Sequence, residues 1–561
     1  MDAPARLPVV LLWHMHQPQY RDALTGRYVL PWTYLHALKD YTDMAAHLEE
    51  NPAARAVVNF TPVLLDQLDE LSRRVGRHLQ SGAPLPDPVL ALLGPDPVPS
   101  EPEARLAVLK ACLRAHRKNL IERFPAFLDL VTCAEGCARP ERVAWASDAL
   151  LHDLAVWYHL AWMGETVRRS DPRVAVLSSQ ASGFTPVQRR ELLELIGELL
   201  AGIIPRYRRL QESGQCELSV TPYAHPILPL LFDFGAARDS VPDAPLPQHP
   251  GYPGGAERAQ WHVIESIRSY EKYFGVRPRG CWPAEGAISD PTLRLLDAHG
   301  FSWAASGANV LRGALAANGS SPDAGEAYNR PYQLAGTRLQ CFFREEGLSD
   351  RIGFTYSSWH GDDAAGNLVH DLAEMAATAA PAQAVLIALD GENAWEYYPF
   401  NGYFFLKAMY AGLAAHPRLE LLTLSECLSR GIEPVPLRRV PAGSWVHGTL
   451  ATWMGDAAKN LGWDLLCEAK HTFDEVLADG RLDSADRAAA TRQLALCESS
   501  DWFWWFGDYN PAEAVSQFDQ LYRRQLVSLY RLLGRPAPDS LARPIATGSG
   551  DMDNGGVMRR A

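Results

Sequence analysis

The chain has no apolar stretch approaching the roughly 20 residues that cross a bilayer, so no membrane span is expected among its 561 residues. It also lacks a basic surplus. Against 53 Lys and Arg stand 66 Asp and Glu, a formal net charge of −13, which argues against nucleic acid or an anionic membrane surface as a partner. No secretory signal is read in MDAPARLPVVLLWHMH, whose apolar run is short and has no small-residue cleavage site behind it. No glycine-rich nucleotide fingerprint follows that run either. The nine cysteines are scattered, and the one close pair, Cys133 and Cys137 in CAEGC, has no second pair to complete a zinc knuckle. Free thiols and a cytoplasmic setting are expected. Nothing in the sequence specifies an oligomeric state.

What is present is the balance of a packed globular protein, 47 % hydrophobic and 21 % charged. Short apolar runs end abruptly in polar or aromatic residues: PVVLLWHMHQP, RAVVNFTPVLLDQL, RGCWPAEGAIS, FSWAASG and AVLIALDGENAW. In LELLTLS, Ser425 is expected to cap the next helix. DPTLRLLDAHG carries leucines at helical spacing and closes on Gly300, with FSWAASG directly after it. That helix-to-strand unit is what a parallel sheet requires. Buried strands alternating with helices give an α/β fold, and the unusual residues sit at strand ends, which favours a closed barrel. The expected layout is a barrel over 1–415 with a helical insertion at about 80–200, a helical region over 416–543 and a tail without structure from 544.

His14 and His16 lie two apart at the end of the first run, so they share one face of a strand. Such a pair can ligate zinc or donate hydrogen bonds to sugar hydroxyls, and it can also be merely a satisfied strand end. The metal reading needs further ligands, for which Asp22, His225, His360 or His447 are available. In RGCWPAEGAIS, Glu285 follows Trp282 and Pro283, an arrangement suited to stacking a sugar face beside an attacking carboxylate, or simply to starting a helix. In AVLIALDGENAWEYYPFNG, six apolar residues deliver Asp390 to a bend at Gly391. Loss of hydration there would raise its pKa and suit it to general-acid work, the alternative being a helix cap. Arg344, Asp350 and Arg351 resemble binding-site furniture, the alternative being a solvated charge cluster, and DWFWWFGDY reads as a packing wedge near the site. Two carboxylates at two strand ends are what glycoside hydrolysis needs.

These segments together resemble glycoside hydrolase family 57, a family of α-glucan-acting enzymes. HMHQP, YAHPILP, CWPAEG, LDGENAW and ATWMGDAAKNLGWDLL match its five signature regions in order. The resemblance implies an irregular (β/α)7 barrel followed by a helical region, and a retaining mechanism with Glu285 as nucleophile and Asp390 as acid/base. It implies a substrate site lined by His14, His16, Gln17, His225, Trp282, Trp395, Trp453 and Asp456, an α-glucan or malto-oligosaccharide substrate, and neither metal nor cofactor. WPAEG separates Pro283 from Glu285 where the family more often has a Pro-Glu pair. The motifs leave hydrolysis, glucanotransfer and branching open. A metal-dependent sugar hydrolase or deacetylase and a non-catalytic glucan binder are the other readings.

Overall fold

The computed structural model describes residues 6–320, 328–379 and 382–550. Ten strands are formed: β1 (Leu7–Met15), β2 (Ala56–Phe60), β3 (Cys216–Val220), β4 (Gly280–Cys281), β5 (Trp303–Ser306), β6 (Tyr332–Leu334), β7 (Gln340–Phe343), β8 (Val385–Asp390), β9 (Leu419–Leu421) and β10 (Val435–Leu437). Seven of them run parallel in the order β7-β5-β4-β3-β2-β1-β8. A parallel bridge between Arg344 and Leu386 brings the two ends of this order together, with the Glu345 amide donating to the Leu386 carbonyl at 2.7 Å. The expected seven-stranded barrel is therefore present. β6 pairs antiparallel with β7 and carries β10, while β9 extends the sheet at the start of β1.

Alternation along β1 sets the two sides of the wall. Val10 and Leu12 face the lumen, where they meet Val57, Trp282, Trp303, Phe342 and Leu386. Val9, Leu11, Trp13 and Met15 face the surrounding helices. His14 continues the lumen row at its open end. Register places it beside Asn59 of β2 and Asp390 of β8, with Asn59 beside Ser219 of β3. One polar ring thus tops an apolar lumen.

The segment between β2 and β3 is helical from Pro62–Ser81 to the 27-residue helix Pro186–Glu212, which starts with a capping box between Thr185 and Gln188. After β10 come the helices Ala457–Ala478, Ser484–Cys497, Ser500–Trp505 and Ala512–Leu532. Two local expectations change. The cap expected at Ser425 is instead Thr423, which forms a capping box with Glu426, and the Ser425 hydroxyl donates to Glu217. Residues 544–550, expected to be without structure, pack on the last helix: the Ile545 amide donates to Asp519 and Ala546 is buried. The rest of that tail lies outside the described residues.

Candidate active site

At the open end of β1, three imidazoles lie nearly parallel. His16 and His225 stack with ring centroids 3.8 Å apart and planes 14° apart, and His14 stacks beside them, 5.2 Å from His225. Their hydrogen bonds form a directed chain. The Ser500 hydroxyl donates to His225 Nδ1 (2.8 Å), His225 Nε2–H donates to His14 Nε2 (3.1 Å), and His14 Nδ1–H donates to Asn59 Oδ1 (2.7 Å). The Asn59 amide is itself oriented by donating to Ser219 Oγ. His16 pairs with Thr61 Oγ1 at 3.0 Å and with Asp501 at 2.8 Å. All six ring nitrogens are thus satisfied within the protein.

This order requires neutral rings. Burial first, and then the neighbouring His16, hold the His14 pKa down at about 3, and burial pushes His225 well below the ordinary histidine value. His16, His225 and Asp501 form the one cluster among the described residues with the side-chain types and spacing of a metal site, their ligand atoms within 4.8 Å. The geometry opposes that use. In-plane lone pairs of two stacked rings run side by side and do not converge on a common ion. His14, half of the expected pair, is outside the cluster.

Glu285 follows the end of β4 in a short turn with φ 57°, a left-handed backbone that glutamate adopts at a cost. It does not start a helix; that begins at Asp290, capped by Ser289. Two hydrogen bonds from Trp445 fix it: the indole N–H donates to Glu285 Oε2 at 3.0 Å and the amide donates to its carbonyl at 3.0 Å. His225 Nδ1 lies 4.0 Å from Oε1. Trp445 also packs on Trp282, centroids 4.9 Å apart, and under the Arg344 guanidinium at 5.5 Å.

Asp390 ends β8 and caps no helix; its Oδ2 accepts from the Asn393 side chain at 2.9 Å. Burial raises its pKa, against pulls from the Asn393 hydrogen bond and the His16 and Arg344 charges. The next residue packs closely: a Cβ on Gly391 would lie 2.1 Å from Met15 Sδ, so any larger residue would have to displace that side chain. Glu392 turns inward, where its Oε1 accepts from the His16 amide, Gln17 and Tyr41. Burial, and then the nearby Asp390, push its pKa well up.

His14, His16, Gln17, Glu285 and Asp390 all line one cleft of about 820 Å³. The other expected site residues do not. His225 is fully buried behind the stack, and Trp282, Trp395 and Trp453 are core residues. Asp456 caps the helix Ala457–Ala478 through the amides of Ala458 and Lys459. Arg344 and Asp350 are cleft residues, with Arg344 only 8 % exposed, which favours a binding-site role for them over a solvated cluster; Arg351 is exposed and pairs with Asp371. Trp445, Asp501, Trp504 and Trp505 complete the wall; the sequence put the last three in a packing wedge near the site without giving them a role there, and did not single out Trp445. The SDWFWW run was the available signal, since it pairs Asp501 with two wall tryptophans.

The profile of glycosyl hydrolase family 57 matches residues 10–438. No curated protein matches the chain. Among solved structures, the chain resembles a branching enzyme from Thermococcus kodakaraensis (15 % identity, 94 % of this chain and 90 % of that one, TM-score 0.56). It also resembles an α-amylase from Thermotoga maritima (14 %, 94 % and 93 %, 0.55) and a 4-α-glucanotransferase from Thermococcus litoralis (12 %, 94 % and 60 %, 0.51). At such identities the likeness is one of fold.

Proposed function

The chain belongs to glycosyl hydrolase family 57, and on that premise we propose that it is a retaining enzyme that cleaves or transfers α-1,4-glucan chains, with Glu285 as nucleophile and Asp390 as acid/base. The observation that carries the reading is the relay across the cleft. Glu285 is held by the Trp445 indole, Trp445 lies under Arg344, and the Arg344 charge acts on Asp390. Two carboxyl groups on opposite walls thus have different environments, one ordered by a donor and one deprived of water.

The steps balance. In this scheme Asp390, its pKa raised by burial, enters as the acid and gives its proton to the leaving glycosidic oxygen while a Glu285 oxygen bonds to the anomeric carbon. The ester removes the Glu285 charge. Asp390, now a carboxylate, takes a proton from water or from a sugar hydroxyl, whose oxygen displaces Glu285 and restores the starting anomer. Neutral His14 brings no positive charge beside the oxocarbenium-like transition state, and His16 is held against Asp501. They offer stacked ring edges to the sugar, with His225 bracing them from behind. The stacked geometry disfavours a metal-dependent reading. Nine unpaired thiols, seven of them buried, support a cytoplasmic location.

The test is product analysis with maltoheptaose and amylose beside Glu285→Gln. Shorter oligosaccharides alone mean a hydrolase, shorter and longer ones together a glucanotransferase, and new α-1,6 linkages a branching enzyme. Products that persist in Glu285→Gln overturn the nucleophile. Their absence from the wild type overturns the α-glucan reading.

A further inference from the structure

Three π-helical turns occur among the described residues, Ala37–Tyr41, Arg117–Ile121 and Arg351–Thr355. Such wide turns are rare and recur at functional sites. The first two each begin directly after a histidine that lines the cleft, His36 and His116. Neither histidine belongs to a barrel strand. One ends the short helix Trp32–His36 after β1 and the other comes from the helical insertion.

Each ring is held in a defined tautomer. His36 Nδ1–H donates to Asp40 Oδ2 at 2.7 Å. Asp40 is fully buried, and its other oxygen accepts from the ammonium of Lys39, itself 1 % exposed. A buried charged cluster of this kind is costly to assemble and adds little net stability. It does fix a proton on His36 Nδ1, and in the neutral tautomer of that ring Nε2 is the acceptor. His116 is set the opposite way: its Nδ1 accepts from the Asn119 amide at 3.2 Å, which leaves Nε2–H as a donor. Both are braced against the turn 396–401. Lys39 donates to Asn401 at 2.9 Å, the Asn119 side chain donates to the Glu396 carbonyl at 2.9 Å, and His116 meets Tyr397 edge-on with centroids 5.4 Å apart. Phe400 and Asn401 hold left-handed backbone in that turn, φ 55° and 54°.

We propose that this insertion-side end of the cleft is a further glucosyl subsite, in which His36 and His116 read sugar hydroxyls as an acceptor and a donor while Trp32 and Tyr397 meet the flat faces of the ring. The proposal rests on the α-glucan reading and adds to it. A pyranose presents what the site demands: hydroxyls able both to give and to accept, and an apolar C–H face for aromatic contact. The subsite makes chain length the quantity this end of the cleft measures. Asp40 is a positioning residue that acts through His36.

The experiment compares kcat/KM for maltoheptaose and maltotriose in wild type, His36→Ala and His116→Ala. Loss of one hydrogen bond to the longer substrate lowers the ratio of the two values about tenfold in each variant. A ratio equal to that of the wild type, whether activity is intact or uniformly reduced, overturns the subsite. The same comparison by calorimetry in the Glu285→Gln background reads maltoheptaose binding alone. There each histidine variant raises Kd about tenfold, and equal Kd values overturn the proposal. Wild type that turns over neither sugar tells against the α-glucan reading, while the calorimetric comparison still decides the subsite.

Discussion

Two side chains that do no chemistry themselves set how Glu285 and Asp390 behave. Trp445 gives Glu285 its one indole hydrogen bond. Trp445→Phe keeps the ring and deletes the N–H, so kcat should fall about tenfold, as one lost hydrogen bond predicts; an unchanged kcat would mean that the backbone alone aims the nucleophile. Asn393 opposes the raised pKa of Asp390 by donating to its carboxylate. As the proposed acid, Asp390 would begin the reaction protonated, so the rate should decline as pH rises through that raised pKa. Asn393→Ala removes the opposing hydrogen bond, raises the pKa further, and moves the alkaline limb of kcat/KM to higher pH. A limb that stays put, or moves down, would assign it to another group. The sequence exposed these two acids because each follows an apolar run. It did not expose Trp445 or Asp501, which come from segments far along the chain whose own pattern reads only as packing. Asp456 is the opposite case: an aspartate directly before Ala-Ala-Lys is a capping signal, and the family motif drew attention to it for a different reason.

The shortest strand, β4, shows how closely the barrel wall is fitted. A Cβ on Gly280 would lie 1.8 Å from the Trp303 ring, and that ring is fully buried with its indole N–H donating to Glu217 at 2.8 Å. Glu217 also accepts from the Ser425 amide and hydroxyl, so one carboxylate ties β3, β5 and the helix after β9 together. Gly280→Ala forces Trp303 out of this arrangement and should cost about 1–3 kcal/mol, as overpacked cores do, read as a lower urea midpoint. A midpoint within error of the wild type would show that the lumen is softer than its packing implies. The strands were legible as apolar runs and their parallel order followed from the helices between them. The closing contact was not, because Arg344 and Leu386 meet across a single bridge that leaves no periodicity behind. The left-handed backbone at His225 and Glu285 was equally hidden, since neither residue type announces it.

For the molecule as a unit, folding is linked to pH through histidines the chain buries as neutral rings. His47 is the cleanest case. Its Nε2 has no hydrogen-bond partner, and burial, helped by the Lys407 charge, holds its pKa at about 4. A depressed histidine contributes in full above its unfolded value of 6.5 and loses that contribution as pH falls toward the folded one. The wild type should therefore lose up to about 1.4 kcal/mol per pH unit relative to His47→Leu between those limits. Urea unfolding at pH 7, 6 and 5 measures it, and a constant difference between the two proteins would show that His47 is charged in the fold. Insertion, barrel and C-terminal helices also meet at the cleft, and one consequence concerns biosynthesis. His225 and His16 depend on Ser500 and Asp501, so the site begun by the fourteenth residue is completed only once the five-hundredth has left the ribosome. Until then a nascent chain can fold most of its barrel and still be idle, harmless to the polymer around it.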